Sequence, residues 1–236
     1  MKVDEFKALC ADHGLVLSEV QVQQFIRYAV MLKEWNEKMN LTGITELEEV
    51  LDKHFFDSLL PFFSLNLKGK LCDVGAGAGF PSVPLKIAYP DLEITILEPL
   101  AKRITFLNAV IDDLGLEKIQ CFHERAEDYA KDHRESFDYV TARAVANLPM
   151  LAELCVPLVK KDGLFVAMKG SSGLEEDMQA AFAMSCLGAK LNKQETRHLS
   201  DGSTRINLFY LKVKNTPKQY PRSFAKIKKS PLIKEK

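Results

Sequence analysis

LCDVGAGAGFPSVP, residues 71–84, decides the fold. A short apolar run reaches Asp73 and Val74, turns through Gly75, Gly77 and Gly79, and meets a helix-like start near Pro81. In an open α/β sheet, ligands bind just beyond the C-terminal ends of the strands, where the strand order reverses. Glycines at such a place permit positive φ and let a ligand approach backbone N–H groups with no Cβ in the way.

Outward from this turn the pattern is regular. Short β-rich runs at Leu71–Val74, Glu93–Glu98, Ile119–His123, Phe137–Thr141 and Leu164–Met168 alternate with amphipathic segments starting near Pro81, Ala101, Ala126 and Asn147. Such alternation predicts parallel strands joined by helical crossovers. A further helix follows Gly173, and two runs around Lys190–His198 and Arg205–Val213 have no helix between them, which predicts an antiparallel finish. The expected fold is a mostly parallel seven-stranded sheet with helices on both faces. Before it, residues 4 to 65 show helical periodicity only: Ser18 with Gln21 forms a capping box ahead of Val22, Phe25, Ile26 and Ala29. The expected division is a helical extension at 1–66, a main domain at 67–214 and a basic tail at 215–236.

The glycine turn narrows the ligand. A dinucleotide fingerprint requires glycine three positions beyond Gly77, where Phe80 stands, and a phosphate loop requires Lys followed by Ser or Thr, where Phe80-Pro81-Ser82 stands. What remains is Asp73-Val-Gly75-Ala-Gly77-Ala-Gly79, with Glu98 at the end of the second strand placed to accept both hydroxyls of a ribose. A ribose without a pyrophosphate fits S-adenosylmethionine, whose ammonium would meet an acid near Asp73. The third strand leads into Glu124-Arg125-Ala126-Glu127-Asp128, which reads either as an adenine-edge contact at Ala126 and Glu127 or as the acidic first turn of a helix.

Composition bounds the partners. Of 236 residues, 32 are basic and 32 acidic, yet from Lys212 onward nine basic side chains face the single acid Glu235. That run is a footprint for a polyanion such as nucleic acid, or a solvated tail. No stretch approaches the roughly 20 apolar residues of a membrane span, and the scattered cysteines suggest neither a disulfide framework nor a zinc site. A cytoplasmic protein with no membrane association is expected.

The strings DVGAGAGFPSVPLKI, LEPLAKRITFL, ERAEDY, FDYVTARAVANL and LVKKDGLFVAMKG, with the earlier WNEKMNLTGI and HFFDSLLP and the later KNTPKQYPR, resemble the RsmG family, glucose-inhibited division protein B. The resemblance implies a Rossmann-like class I methyltransferase fold, S-adenosyl-L-methionine as cofactor, and methylation of a guanine N7 in the 530 loop of 16S rRNA of the bacterial small ribosomal subunit. It puts cofactor contacts on Gly75, Phe80, Ala126, Glu127 and Arg143, beside Asp73, Gly77 and Glu98 from the residues themselves. Ser82 departs from the family, many of whose members have glycine there, and the tail SFAKIKKSPL lacks its Gly-Pro pattern. Nothing demands more than a monomer or a stable protein partner.

Guanine N7 carries a lone pair and no proton, so no general base is expected and catalysis rests on positioning in a dry crevice. Arg143, at the end of the fourth strand, is the candidate catalytic residue, holding the cofactor carboxylate or an RNA phosphate, the other reading being a structural arginine paired with a nearby carboxylate. Lys102, Arg103, Arg125, Lys169 and the C-terminal lysines are candidate phosphate contacts, and Phe80 and Tyr220 candidate stacking surfaces. Two other readings stay open: a methyltransferase of the same fold acting on a small molecule or protein, and a non-catalytic RNA-binding assembly factor.

Overall fold

The computed structural model describes residues 1–233; Lys234, Glu235 and Lys236, the last members of the basic run, lie outside them. Seven strands form one sheet: β1 (Lys70–Val74), β2 (Glu93–Leu97), β3 (Ile119–Phe122), β4 (Phe137–Arg143), β5 (Val159–Lys169), β6 (Ala189–His198) and β7 (Thr204–Lys212). Their order is β3-β2-β1-β4-β5-β7-β6. The first five are parallel, and β7 runs antiparallel to β5 and β6. The chain steps outward from β1 to β3 and then returns to β4, so order reverses between β1 and β4, directly beyond the glycine turn.

Each expected run is a strand, with ends moved by the ladder. β4 continues to Arg143 because Ala142 and Arg143 pair with Ala167 and Met168. β5 starts at Val159 because Phe137 pairs there ahead of an irregularity at Phe137/Tyr139, although residues 160–162 are exposed and polar. Main-chain pairing needs no apolar side chain, so hydrophobic periodicity cannot announce it.

Helices cover both faces. Before the sheet come α1 (Val3–Asp12), α2 (Glu19–Met39) and a continuous helical stretch made of α3 (Leu47–Val50), a π-helical turn (Leu51–Phe56), α4 (Asp57–Leu59) and a 3-10 turn (Leu60–Phe62). The capping box at α2 is present: the Ser18 N–H donates to Gln21 Oε1 at 2.9 Å and the Gln21 N–H to Ser18 Oγ at 3.3 Å. Between and after the strands lie α5 (Ser82–Ala88), α6 (Ala101–Asp113), α7 (Ala126–Tyr129), α8 (Leu148–Cys155), α9 (Gly173–Leu187) and α10 (Phe224–Lys229).

The sheet's alternation sorts its side chains between two cores. Leu71, Ile94, Ile96, Val166 and Phe209 share one with Phe6, Phe25 and Phe55 of the N-terminal helices. Cys72, Val74, Val140, Phe165 and Leu208 share the other with α8, α9 and Ile227 of α10. Residues 1–66 therefore supply one layer of the main core. The C-terminal stretch is likewise docked: Lys212 is 1% exposed and donates to the carbonyls of Val156 and Val159, and Ile227 is 0% exposed. Over its described part the run's backbone is docked at Lys212, Arg222 and Ile227, while Lys214, Lys218, Lys226, Lys228 and Lys229 stay exposed.

One contact joins the N-terminal layer to the glycine turn. Tyr28, fully buried on α2, donates its hydroxyl to the Ala78 carbonyl, and burial raises its pKa, which keeps the donor protonated. Replacing it as Tyr28→Phe leaves that carbonyl without its donor inside the core. Unfolding free energy, read from urea midpoints, should fall by about 1–2 kcal/mol.

Candidate functional site

Beyond the C-terminal ends of β1, β2 and β4 lies a cleft of about 430 Å³, bounded by Gly75, Glu98, Ala126, Glu127 and Val145. Gly75 has φ +72°, and a Cβ there would lie 2.7 Å from Val145 Cγ2, so only glycine fits this wall. The glycine N–H groups are not free for a ligand, contrary to expectation. That of Gly75 donates to Leu97 O at 2.7 Å, and that of Gly77 to Glu98 Oε2 at 3.0 Å. The turn thus offers bare surface, and Gly77 acts by holding Glu98.

Glu98 is 1% exposed yet borders the cleft. Besides Gly77, it accepts from the Leu100 N–H at 3.0 Å and from Arg103 at 3.3 Å. A carboxylate has about four acceptor positions, so a place remains for a hydroxyl, more if the partly exposed Arg103 swings away. At the other end of the cleft, Ala126 and Glu127 are 6% and 5% exposed, and burial raises the Glu127 pKa. Both expected contacts there face the cleft.

Asp73, Phe80 and Arg143 do not. On a strand, alternate residues share a face, and Asp73 points with Leu71 toward the N-terminal layer. Its Oδ2 accepts the Ser82 N–H at 3.1 Å, its Oδ1 is buried without a partner, and burial pushes its pKa up to about 7. The acid expected to meet a ligand ammonium instead caps the start of α5. Phe80 is 5% exposed, with its ring 4.4 Å from that of His54.

Arg143 borders a second cleft of about 350 Å³ that shares Ala144 with the first. It donates to Asp57 Oδ2 at 3.0 Å, and its guanidinium lies 4.9 Å from the centre of the Phe80 ring. Arg205 bonds the other Asp57 oxygen at 2.9 Å, and Lys169 pairs with Glu176 at 2.6 Å. His54 Nδ1 lies 3.2 Å from both the Arg143 guanidinium and the Lys53 carbonyl, and its Nε2 lies 2.8 Å from Thr42 Oγ1. Desolvation, with Arg143 beside it, lowers the His54 pKa to about 3.

Sequence reasoning missed Asp57 and Arg205 in this network. The available signal was their unpaired charge in otherwise apolar segments, HFFDSLLP and TRINLFYL. Of the expected phosphate contacts, Lys102 donates to Met39 O at 3.1 Å, Arg103 holds Glu98 and Lys169 holds Glu176. Arg125 stands over the Phe224 ring at 4.9 Å. Burial raises the thiol pKa of Cys10 and Cys121 to about 12, and that of Cys72 and Cys155 well above the usual value.

Comparison with known proteins bears on this geometry. Residues 21–206 match the family described as rRNA small subunit methyltransferase G. A ribosomal RNA small subunit methyltransferase G from Staphylococcus aureus is 48% identical over 99% of both chains. Its counterpart from Staphylococcus epidermidis is 47% identical over 99% of both. Among solved structures, a 16S rRNA (adenine(1408)-N(1))-methyltransferase from Catenulisporales acidiphilia superposes with TM-score 0.52 at 14% identity, covering 65% of this chain and 87% of that one. TYW2 from M. jannaschii, solved in complex with AdoMet, gives TM-score 0.52 at 15% identity, covering 67% and 75%. At those identities the likeness is one of fold.

The buried titratable groups oppose one another in acid. An unfolded histidine takes up its proton near pH 6.5, whereas His54 stays neutral down to about pH 3, so its contribution to stability is lost as pH falls through that window. Asp73 keeps its proton up to about pH 7, while the unfolded carboxyl ionises near 3.9, so its contribution is lost as pH rises. In His54→Asn the Asp73 limb stands unmasked. Between about pH 4 and 6.5, the slope of stability against pH should become more negative than in the parent, by up to about 1.4 kcal/mol per pH unit, as read from urea midpoints.

Proposed function

The chain belongs to the rRNA small subunit methyltransferase G family and is an S-adenosylmethionine-dependent rRNA methyltransferase; we propose that its target atom is N7 of a guanine in the 530 loop of 16S rRNA. The observation that carries this reading is the pair of clefts meeting at Ala144, one with a bare glycine wall and a carboxylate, the other lined by cations.

The residues of the first cleft fit S-adenosylmethionine. Glu98 retains an acceptor position for a ribose hydroxyl, Gly75 leaves room that a Cβ would fill, and Ala126 and Glu127 offer a buried strip for a purine edge. When bound, the cofactor supplies an electrophilic methyl group on a sulfonium.

The second cleft then receives the RNA. Lys53, Arg143, Lys169 and Arg205 border that cleft, each ion-paired, Lys53 with Glu49 and Asp201, the two arginines with Asp57 and Lys169 with Glu176, so a phosphate would bind by sharing these cations. N7 needs no proton removed, and the carboxylates of the second cleft are held in ion pairs, Asp57 by Arg143 and Arg205 and Glu176 by Lys169. His54 has both ring nitrogens engaged, and the described buried thiols stay protonated. What these residues contribute is orientation and exclusion of water. Arg143 acts as a positioning residue: fixed by Asp57 and backed by Phe80, it keeps one wall of the cleft rigid. The chain is taken to act as a cytoplasmic monomer on the small subunit.

Small-subunit particles from cells lacking this protein, incubated with it and methyl-labelled cofactor, should acquire label as 7-methylguanosine at a single nucleotide. Label on another atom would overturn the assignment. In Arg143→Lys, a point-like ammonium cannot hold Asp57 and His54 together. Turnover should then drop by about tenfold or more while cofactor affinity stays within about twofold, and unchanged turnover would remove Arg143 from the site.

A further inference from the structure

The family description covers residues 21–206, while the relatives match through the C-terminal stretch, and the walls of the cofactor cleft extend into that stretch. Phe224 and Lys228, both on α10, border it beside Arg125, Ala126 and Glu127. We propose that Phe224 is a cofactor-contacting residue, forming a wall at the purine end of the cleft, and that the C-terminal segment is a built part of the cofactor site. This rests on reading that cleft as the S-adenosylmethionine site.

Position is the first argument. Arg125 immediately precedes Ala126, and its guanidinium stands 4.9 Å from the centre of the Phe224 ring, which places the ring beside the Ala126–Glu127 strip. Across the same cleft Leu100 is 44% exposed, a large apolar side chain without full cover. With Met150 and Leu154 also on the walls, the cleft carries apolar surface and one aromatic ring, edged by Arg125, Glu127 and Lys228. A nucleobase is a planar ligand that such a surface can take, since every base has a face that stacks on an aromatic ring.

Rigidity is the second. The segment carrying Phe224 is fastened on both sides of it. Arg222 grips Glu153, itself 0% exposed, through a fork with Nε to Oε1 at 2.8 Å and Nη2 to Oε2 at 2.6 Å. Upstream, Thr216 donates its N–H to Glu135 at 2.7 Å and its hydroxyl to Leu187 O at 2.8 Å. Downstream, Ile227 is fully buried in the core beneath α8 and α9. A bidentate charged bond onto a buried carboxylate is strong and directional, so the ring is held in place before any ligand arrives. Preorganisation of this kind spares the ligand the cost of ordering the wall.

The test is calorimetric titration of the full chain with S-adenosylmethionine, and with methylthioadenosine, which keeps the nucleoside but lacks the amino-acid tail. Phe224→Ala should weaken both ligands by about tenfold, with the ligand-free unfolding midpoint little changed, because Arg222 and Ile227 still hold the segment. Phe224→Leu keeps apolar bulk without the planar ring and should weaken both by an intermediate factor, while Phe224→Tyr should bind as the parent does. Parent-like affinity in both Phe224→Ala and Phe224→Leu would overturn the contact. A penalty for S-adenosylmethionine but none for methylthioadenosine would overturn its placement at the purine end. Should the unsubstituted protein take up neither ligand, the reading of the cleft itself would fall.

Discussion

The buried carboxylate of Glu98 ties this site together. It sits at the end of β2 with almost no exposure, and it spans two loops by accepting N–H groups of Gly77 and Leu100. Charge buried to this degree is costly unless hydrogen-bonded, and here the bonding partners are the very loops that shape the cleft. Their positions are therefore set by the need to solvate one charge from within the protein. Glu98 also borders the cleft, so the group that organises the loops is itself part of the wall they form. Gly75 and Gly77 serve this arrangement by their conformation and lack of Cβ, not as free donors.

The second cleft is organised differently. Asp57 lies at the close of a π-helical turn in the N-terminal layer, and Arg143 and Arg205 reach it from β4 and β7. Three distant parts of the chain meet on one carboxylate. Buried ion pairs add little net stability once desolvation is counted, so such a network is better understood as fixing geometry. It locks the N-terminal layer to the sheet beside the place where the two clefts meet. The N-terminal helices border the second cleft, and α10 borders the first.

Much of the fold was legible from residue order. Alternation of β-rich runs with helical ones announced the parallel sheet, and the absence of a helix between residues 198 and 205 announced the antiparallel end. Ser18 with Gln21 marked a helix start because that chemistry is local. Strand ends were less legible, since main-chain ladders extend past the last apolar side chain, as β4 does to Arg143. Of the expected site residues, Gly75, Glu98, Ala126 and Glu127 border one cleft. Asp73, Phe80 and Arg143 face the other way, toward the N-terminal layer.

The sequence by itself determined which strands would form and where they would turn. These follow from spacing over a few residues, where backbone sterics and hydrogen-bonding chemistry act locally. Only the tertiary structure decided which face Asp73 and Arg143 take, that Arg143 and Arg205 share Asp57, and that the chain's C-terminal stretch docks against α8. Those outcomes depend on contacts between segments 69 to 148 residues apart, and no local pattern encodes which of many charged residues will be desolvated together.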